Sequence, residues 1–165
     1  MGTLYITTSG PEPTTAASAT LALAAALHTN LQVATPSTQK IKIVEWGISF
    51  DNTTVNTPVK CELIQTDVAA TTITSRTPTP YDDPLGPASL CVGGASATGF
   101  SATGATEGTI TAVRTFDLQL VPPTGQYVHQ WPLGREPVVP VSKFVRIRTT
   151  PSATVNAYMY IIWEE

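Results

Sequence analysis

Charged residues are scarce in this chain. Asp, Glu, Lys and Arg make up 13% of its 165 residues, about half the share of roughly 25% found in soluble domains. The four lysines and five arginines are scattered along the sequence, so no basic run is present that would neutralise a row of phosphates. We therefore expect no nucleic-acid partner.

Long hydrophobic runs are also missing. The longest apolar stretch, AASATLALAAALHTNL at 16–31, is too short and too rich in Ala and Thr to span a bilayer. A secretory signal would require Lys or Arg before this stretch, and the preceding residues include neither. The sequence thus predicts a soluble protein with no membrane partner, synthesised in a cytoplasm.

Cysteine and histidine are too sparse to indicate a metal site. Cys61 lies in an alternating segment and Cys91 precedes a glycine-rich loop, and no CxxC or paired His/Cys spacing is present. We expect no metal and no cofactor. Buried free thiols are common in cytosolic chains, so two free cysteines are favoured over a disulfide.

No motif pairs a nucleophile with an activating group. His129, in QYVHQW, has no accompanying nucleophile motif and is interpreted as a half-exposed strand residue. The adjacent Asp82 and Asp83 precede a proline and are typical of a turn rather than of a calcium loop. The glycine-rich segment 93–104 lacks the Lys-Ser/Thr of a phosphate loop. The sequence predicts no catalytic residues and a non-enzymatic protein.

Threonine is abundant, and period-two alternation recurs. The 28 threonines suit pleated strands. Five segments, separated by Pro, Gly, Asn and Asp, alternate apolar and polar residues: VEWGISF, PVKCELI, TFDLQL, KFVRIRT and TVNAYMYIIW. The pattern predicts an all-β antiparallel sandwich or jelly roll.

The alternation also assigns faces to individual side chains. In KFVRIRT it directs Val145 and Ile147 inward and leaves Arg146 and Arg148 exposed. In TFDLQL it places Phe116, Leu118 and Leu120 on one face of the strand.

Two regions depart from the alternating pattern. In residues 16–27 the Ala and Leu content would suit a helix, but the 3.6-residue period is missing, so a buried strand near Thr20–Leu27 is favoured. Residues 66–109 predict a long irregular central excursion with short strands around Thr72–Ser75 and Ala88–Val92. We divide the chain into an N-terminal arm, 1–15, and one sandwich domain, 16–165.

The start of the chain predicts a partner contact. The strand formers Leu4, Tyr5 and Ile6 are followed by prolines at 11 and 13 that would end a strand. We interpret the segment as a flexible arm that adds to the sheet edge of a neighbouring molecule. A frayed terminus is the alternative.

The stretch WPLGREPVVP, 131–140, predicts a loop that turns one strand into the next. Its prolines remove backbone donors and Gly134 permits a backbone angle that other residues resist. Arg135 and Glu136 are placed at its tip. With Trp131, they are candidate partner contacts, because exposed ion pairs contribute more to specificity than to stability.

Two parts of the chain resemble one protein family. Residues 116–165, with the Pro-Leu-Gly-Arg-Glu step, the Ile-Arg strand and the closing Trp-Glu-Glu, resemble small structural proteins of tailed bacteriophages. Residues 44–66, VEWGISFDNTTVNTPVKCELIQT, resemble an earlier segment of the same proteins. The chain departs from the pattern at Asn52, where a turn glycine is expected, and at 107–109, where Glu-Gly-Thr replaces Glu-Pro-Thr.

The resemblance implies a virion component. The leading expectation is a capsid decoration protein on the outer surface of the phage head, a homotrimer whose partner is the major capsid protein. A tail or baseplate protein would share the same features. A carbohydrate-binding sandwich is a further alternative, with Tyr127, Trp131, Tyr158 or Tyr160 as stacking platforms, although these aromatics are equally suited to core or subunit contacts.

Overall fold

The computed structural model describes residues 2–53, 56–71, 73–103 and 105–165. These residues form thirteen strands and no helix. The strands are β1 Leu4–Thr8, β2 Leu21–Leu23, β3 His28–Ala34, β4 Ile41–Asp51, β5 Val59–Thr66, β6 Thr74–Ser75, β7 Thr79–Pro80, β8 Gly99–Phe100, β9 Val113–Val121, β10 Gln126–Gln130, β11 Val138–Val139, β12 Phe144–Thr150 and β13 Val155–Glu164.

The strands form two antiparallel sheets packed face to face, so the predicted all-β sandwich is confirmed. Sheet A has the order β10-β4-β13-β1-β7, with β11 also paired to β4 and β2 also paired to β13. Sheet B has the order β6-β8-β3-β12-β5-β9. The longest ladder joins β4 to β13 and includes a bulge between Ile162 and Trp163.

Alternation along the long strands builds the core between the sheets. In β4, Trp46, Ile48 and Phe50 face inward, and in β13 every second residue from Val155 to Trp163 is buried. Sheet B contributes Leu31, Val33, Val59, Cys61, Leu63, Val145 and Ile147. Burying large apolar side chains contributes about 1.5–3 kcal/mol each, which accounts for the dominance of the period-two signal in these segments.

The predicted N-terminal arm needs correction for Leu4–Thr8. These residues form β1, which pairs with β13 on one side and with β7 on the other within the same chain. Tyr5 is buried and its ring stacks on that of Trp163 at 6.2 Å. Strand β1, with Tyr5 and Thr7 facing inward, is therefore part of a sheet of its own chain. The prolines that follow end the strand but do not make it a free arm.

Residues 16–27 contain a strand, as predicted, but a shorter one than Thr20–Leu27. Only Leu21–Leu23 pairs, with Val155–Ala157 of β13. Leu21 and Leu23 are buried. Ala26 adopts a positive φ of 82°, which turns the chain into β3 and ends the extended segment.

The central excursion runs from 67 to 112 in the structure, where 66–109 was predicted, and parts of it cover the outer face of sheet B over β3 and β12. This cover corrects the exposed position predicted for Arg146. The Arg146 side chain is 0% exposed. Its guanidinium donates to the Glu107 carboxylate and main-chain oxygen at 3.0 Å each and to the carbonyl of Val68. Buried Gln32 also bonds the main chain of Ala70. Alternation along β12 determined the side of the sheet correctly but not the presence of a cover.

Short strands occur in the excursion, but a strand forms at only one of the two predicted positions. Strand β6, Thr74–Ser75, lies within the predicted segment, whose Thr72 is outside the described residues. The predicted strand at Ala88–Val92 is wrong, because Ser89 and the main chain of Leu90 instead bond the Glu165 carboxylate, at 2.5 and 2.8 Å. A strand forms at Gly99–Phe100, in the glycine-rich segment.

Strand β9 reverses its face partway along. Phe116 packs against the core, but Leu118 and Leu120 are exposed, so the prediction that all three share a face is wrong. Leu63 pairs with Asp117 and Ile64 with Thr115, so Phe116 is an extra residue in β9. Such a bulge shifts the residues beyond it by one position, which turns Asp117 and Gln119 toward the interior.

Two positions in the strand order of sheet A are each occupied by an interrupted strand. Strands β1 and β2 both pair with β13 in the same direction, and residues 9–20 leave the ladder between them. Strands β10 and β11 both pair with β4, and residues 132–136 leave the ladder between the Trp131 N–H, bonded to Val44, and the Pro137 carbonyl, bonded to Ile43. Each interruption projects a loop without changing the direction of the strand.

Candidate functional site

A groove of about 470 Å³ crosses the outer face of sheet A. Outward-facing residues of four neighbouring strands form its floor, and residues 13 and 18 of the 9–20 excursion form one wall. We call it the tyrosine groove, because its lining includes Tyr81, Tyr158 and Tyr160, together with Ile6, Val128 and Ile162. Concave, mainly apolar surfaces with a few polar groups are typical of binding sites.

Gly47 allows the Tyr160 ring to lie flat on the floor of the groove. A Cβ at position 47 would stand 2.5 Å from the Tyr160 ring. The Tyr160 hydroxyl donates to the Glu45 carboxylate. Burial, and then this carboxylate, raise the pKa of Tyr160, so the hydroxyl stays protonated and remains a donor at neutral pH.

Arg76 is the cation of the groove. Its side chain is 10% exposed, its Nη2 donates to the Thr8 hydroxyl at 3.1 Å and its Nη1 lies 3.2 Å from the Glu12 carboxylate. The Nε is buried and has no hydrogen-bond partner among the described residues.

The excursion that carries Glu12 lies loosely over the groove. Residues 11–17 are exposed. Besides the Glu12–Arg76 pair, the Tyr158 hydroxyl donates to the carbonyl of Ser18. We call residues 11–18 the strap.

A second polar cluster lies at the open seam between β10 of sheet A and β9 of sheet B. The Asp117 carboxylate accepts hydrogen bonds from Trp46 Nε1 at 3.2 Å, from the Tyr127 hydroxyl at 2.9 Å and from the Gln119 amide at 2.8 Å. His129 Nδ1 lies 3.7 Å from the same carboxylate. Burial, and then Asp117, raise the pKa of Tyr127 to about 12. The cluster satisfies the indole N–H of a fully buried tryptophan.

Trp131 ends this row of aromatic side chains. Its ring centroid lies 4.5 Å from that of His129, and Trp131 and Tyr127 pack against the core from partly buried positions. Of the four aromatics considered as stacking platforms, Tyr158 and Tyr160 lie in the tyrosine groove, and Tyr127 and Trp131 lie at the seam.

The loop predicted at 131–140 is present over 131–137, but residues 138–139 form β11 and the loop does not reverse the chain. The Arg135 N–H donates to the Pro132 carbonyl, and Gly134 has a φ of 82°, as expected for its position. The Glu136 carboxylate accepts the Gly134 N–H at 2.8 Å. Arg135 is exposed and makes no ion pair with the described residues. Leu133 projects beside it with 97% exposure.

The six predicted contact residues lie in two separate places. Ile6 lines the tyrosine groove, Leu4 is half-buried on the same strand, and Tyr5 is in the core. Trp131, Arg135 and Glu136 lie at the opposite edge of sheet A, with β4 and β13 between the two groups. Their roles as partner contacts stay predictions.

Among the described residues, no group of three or more His, Cys, Asp or Glu side chains is arranged to hold a metal ion. Both cysteines are buried free thiols. Burial raises the pKa of Cys61 to about 12, so it stays a thiol at neutral pH and is a poor nucleophile. No helix within the described ranges has the length and hydropathy needed to cross a membrane.

No protein-family model, no curated protein and no solved structure matches the chain. The residues that define the tyrosine groove were not singled out by the sequence, apart from Ile6, Tyr158 and Tyr160. Arg76 and Tyr81 lie in a Thr- and Pro-rich stretch without alternation. No local pattern connects them to β13, because the contact depends on long-range pairing of β7 with β1.

Proposed function

We propose that the protein is a non-enzymatic structural component of a phage virion, attached as a homotrimer to the outer surface of the head through the major capsid protein. The observation that carries the proposal is where the two phage-like segments lie in the fold. Residues 44–66 and 116–165 contribute β10-β4-β13 of sheet A and β12-β5-β9 of sheet B. The resemblance therefore covers one contiguous half of the sandwich rather than scattered strands.

The surface of the chain is compatible with contacts to large preformed proteins. The two most exposed large apolar residues described, Leu85 and Leu133, lie on short, locally bonded turns. Leu85, 92% exposed, follows Asp83, whose carboxylate accepts the Leu85 N–H at 2.9 Å, and Leu133 lies in the turn closed by Arg135. Projecting apolar side chains on ordered turns bind at a low entropic cost, which suits a repeated shell contact.

The direct experiment measures attachment to heads. Purified chain is added to heads and, separately, to tails from particles of the source phage that lack this protein, and co-sedimentation is measured. We expect saturable binding to heads and none to tails.

The result also separates the rival assignments. Saturable binding to tails alone would move the chain to the tail or baseplate, and binding to neither would contradict a virion role.

A carbohydrate-binding module remains the second candidate, because Tyr158 and Tyr81 are exposed in a groove and aromatic faces of this kind stack on sugars. A glycan array is the test. Glycan binding abolished by Tyr158→Ala would favour that function, and glycan binding abolished by Trp131→Ala would place the sugar site at the seam instead.

A further inference from the structure

We propose that the tyrosine groove binds an extended, acidic, proline-containing peptide segment of a partner protein, and that the strap of the chain itself is an internal competitor for the same site. The proposal concerns the isolated chain, so it stands or falls independently of attachment to a virion. It rests on the lining of the groove, on Arg76 and on the contacts of the strap.

The lining fits a proline-rich peptide. Grooves lined by aromatic side chains recognise extended polyproline segments, which lose little conformational entropy on binding. The tyrosine groove has three tyrosines around the apolar side chains of Ile6, Val128 and Ile162. Tyr81 and Tyr158 are exposed, 58% and 40%, so their ring faces are accessible to a ligand.

Arg76 is the reason that the proposed peptide is acidic. It is the only Lys or Arg among the described residues that line the groove. Its side chain is nine-tenths buried, and its Nε has no partner among the described residues. The other charged group there, Glu45, is engaged by the Tyr160 hydroxyl. A guanidinium has five donors in a planar fork that suits a carboxylate.

The strap already shows the chemistry that the groove accepts. Its Glu12 pairs with Arg76 at 3.2 Å, its Pro13 lines the groove, and the carbonyl of Ser18 accepts the Tyr158 hydroxyl. These are an acid, a proline and a main-chain acceptor within one short segment. Of the strap, only Pro13 and Ser18 line the groove, and residues 11–17 are exposed, so most of the groove is left uncovered by the strap.

Competition follows from these contacts. A tethered segment is present at an effective concentration of about millimolar order, so even a weak strap reduces the apparent affinity for a peptide in solution. The Glu12–Arg76 pair is partly solvent-exposed and contributes little stability, so a partner peptide with the same acid and a better apolar contact would displace the strap.

The probe is a fluorescein-labelled copy of residues 9–18, SGPEPTTAAS, titrated with the full chain and followed by fluorescence anisotropy. Glu12→Gln in the protein removes the competing carboxylate and leaves Arg76 intact. Asp51→Asn is the matched control, since it makes the same charge change at an exposed position outside the groove. Because an exposed ion pair contributes little, we expect Glu12→Gln to bind the probe about threefold to fivefold more tightly than the wild type and Asp51→Asn to match the wild type.

Two further measurements locate the site. The probe carrying Glu12→Gln is expected to lose about threefold to fivefold in affinity for the Glu12→Gln protein, because Arg76 then has no carboxylate to bind. Adding Tyr158→Phe to that protein is expected to weaken binding of the original probe several-fold without lowering Tm, which separates a lost contact from a lost fold.

Equal affinity of the wild type and the Glu12→Gln protein would overturn the competition. Equal affinity of the two probes, or binding that does not saturate, would overturn the assignment of the groove as a peptide site. Displacement of the probe by free glutamate at similar concentrations would also overturn it, because the site would then recognise a carboxylate and not a peptide.

Discussion

The two sheets present their outer faces to solvent in opposite ways. Over β3 and β12, the outer face of sheet B carries polar side chains that are buried under the central excursion, with Arg146, Gln32 and Asn30 each bonded to main-chain oxygens of that segment. The outer face of sheet A carries apolar and tyrosine side chains, and among the described residues the strap, Arg76 and Tyr81 border it without covering it. Polar residues thus mark the covered face, and apolar residues mark the open one.

The two covers differ in how much they contribute to the stability of the fold. A buried guanidinium requires partners, because an unpaired buried charge is strongly destabilising, so the excursion over sheet B is part of the folded structure. The apolar floor under the strap makes no such demand. A face that stays stable without a tight cover is available for a ligand or a neighbouring protein.

The largest expected effect comes from breaking the cover of sheet B. Glu107→Ala removes the carboxylate that accepts hydrogen bonds from Arg146 at 3.0 Å and from the Thr29 N–H at 2.6 Å. We expect a loss of about 3 kcal/mol in the free energy of unfolding, measured by urea denaturation. Glu12→Ala, which breaks the exposed pair over sheet A, is the matched control and should cost about 0–1 kcal/mol. Equal losses would contradict the contrast between the two covers.

A smaller effect is expected from filling the floor of the tyrosine groove. In Gly47→Ala the new methyl group would meet the Tyr160 ring, which must rotate away from Glu45. We expect a loss of about 1 kcal/mol, measured by thermal unfolding. Gly125→Ala is the control, because a Cβ there meets Pro122 at an ordinary 3.5 Å. An unchanged Tm for both would mean that Tyr160 is not held against the floor.

Asp67 joins the two ends of the central excursion and should make the stability of the chain depend on pH. Its carboxylate accepts the Thr111 hydroxyl and the Ala112 N–H, and these bonds lower its pKa to about 2. A lowered carboxyl pKa contributes stability above the unfolded value of about 3.9 that is lost as the pH falls through the folded value. We expect the Tm difference between the wild type and Asp67→Asn to shrink between about pH 4 and pH 2. A difference that is constant over this range would contradict the assignment.

The smallest effect on stability is expected at the edge of sheet A. Arg135→Ala should change the free energy of unfolding by less than about 0.5 kcal/mol, because the side chain is exposed. The same variant should weaken assembly or docking, measured by co-sedimentation with heads. Lys40→Ala, another exposed cation, is the control. A large loss of Tm in Arg135→Ala would show that the side chain has internal contacts.

Much of the fold was predictable because β4, β5, β12 and β13 bury one face and alternate in period two. The covers were not predictable. Arg146 alternates like an exposed residue, and only the path of residues 67–112, fixed by long-range bonds such as Arg146 to Glu107, buries it. The bulge at Phe116 likewise has no local signal, because it arises from the register between β5 and β9.

The candidate site was predictable only in fragments for the same reason. Tyr158 and Tyr160 belong to an alternating strand whose second face is aromatic. Arg76 and Glu12 reach the groove through turns and a two-residue strand that carry no periodicity. Contacts between residues on irregular segments can be identified only from the three-dimensional structure.

The proposed role as a repeated component of a phage head is decided by the copy number of this chain relative to the major shell protein, measured by quantitative mass spectrometry of purified virions of the source phage. We expect a ratio near parity, because a decoration protein repeats over the shell lattice. A few copies per particle would place the chain in the tail or at one vertex, and its absence from the virion would contradict a virion role.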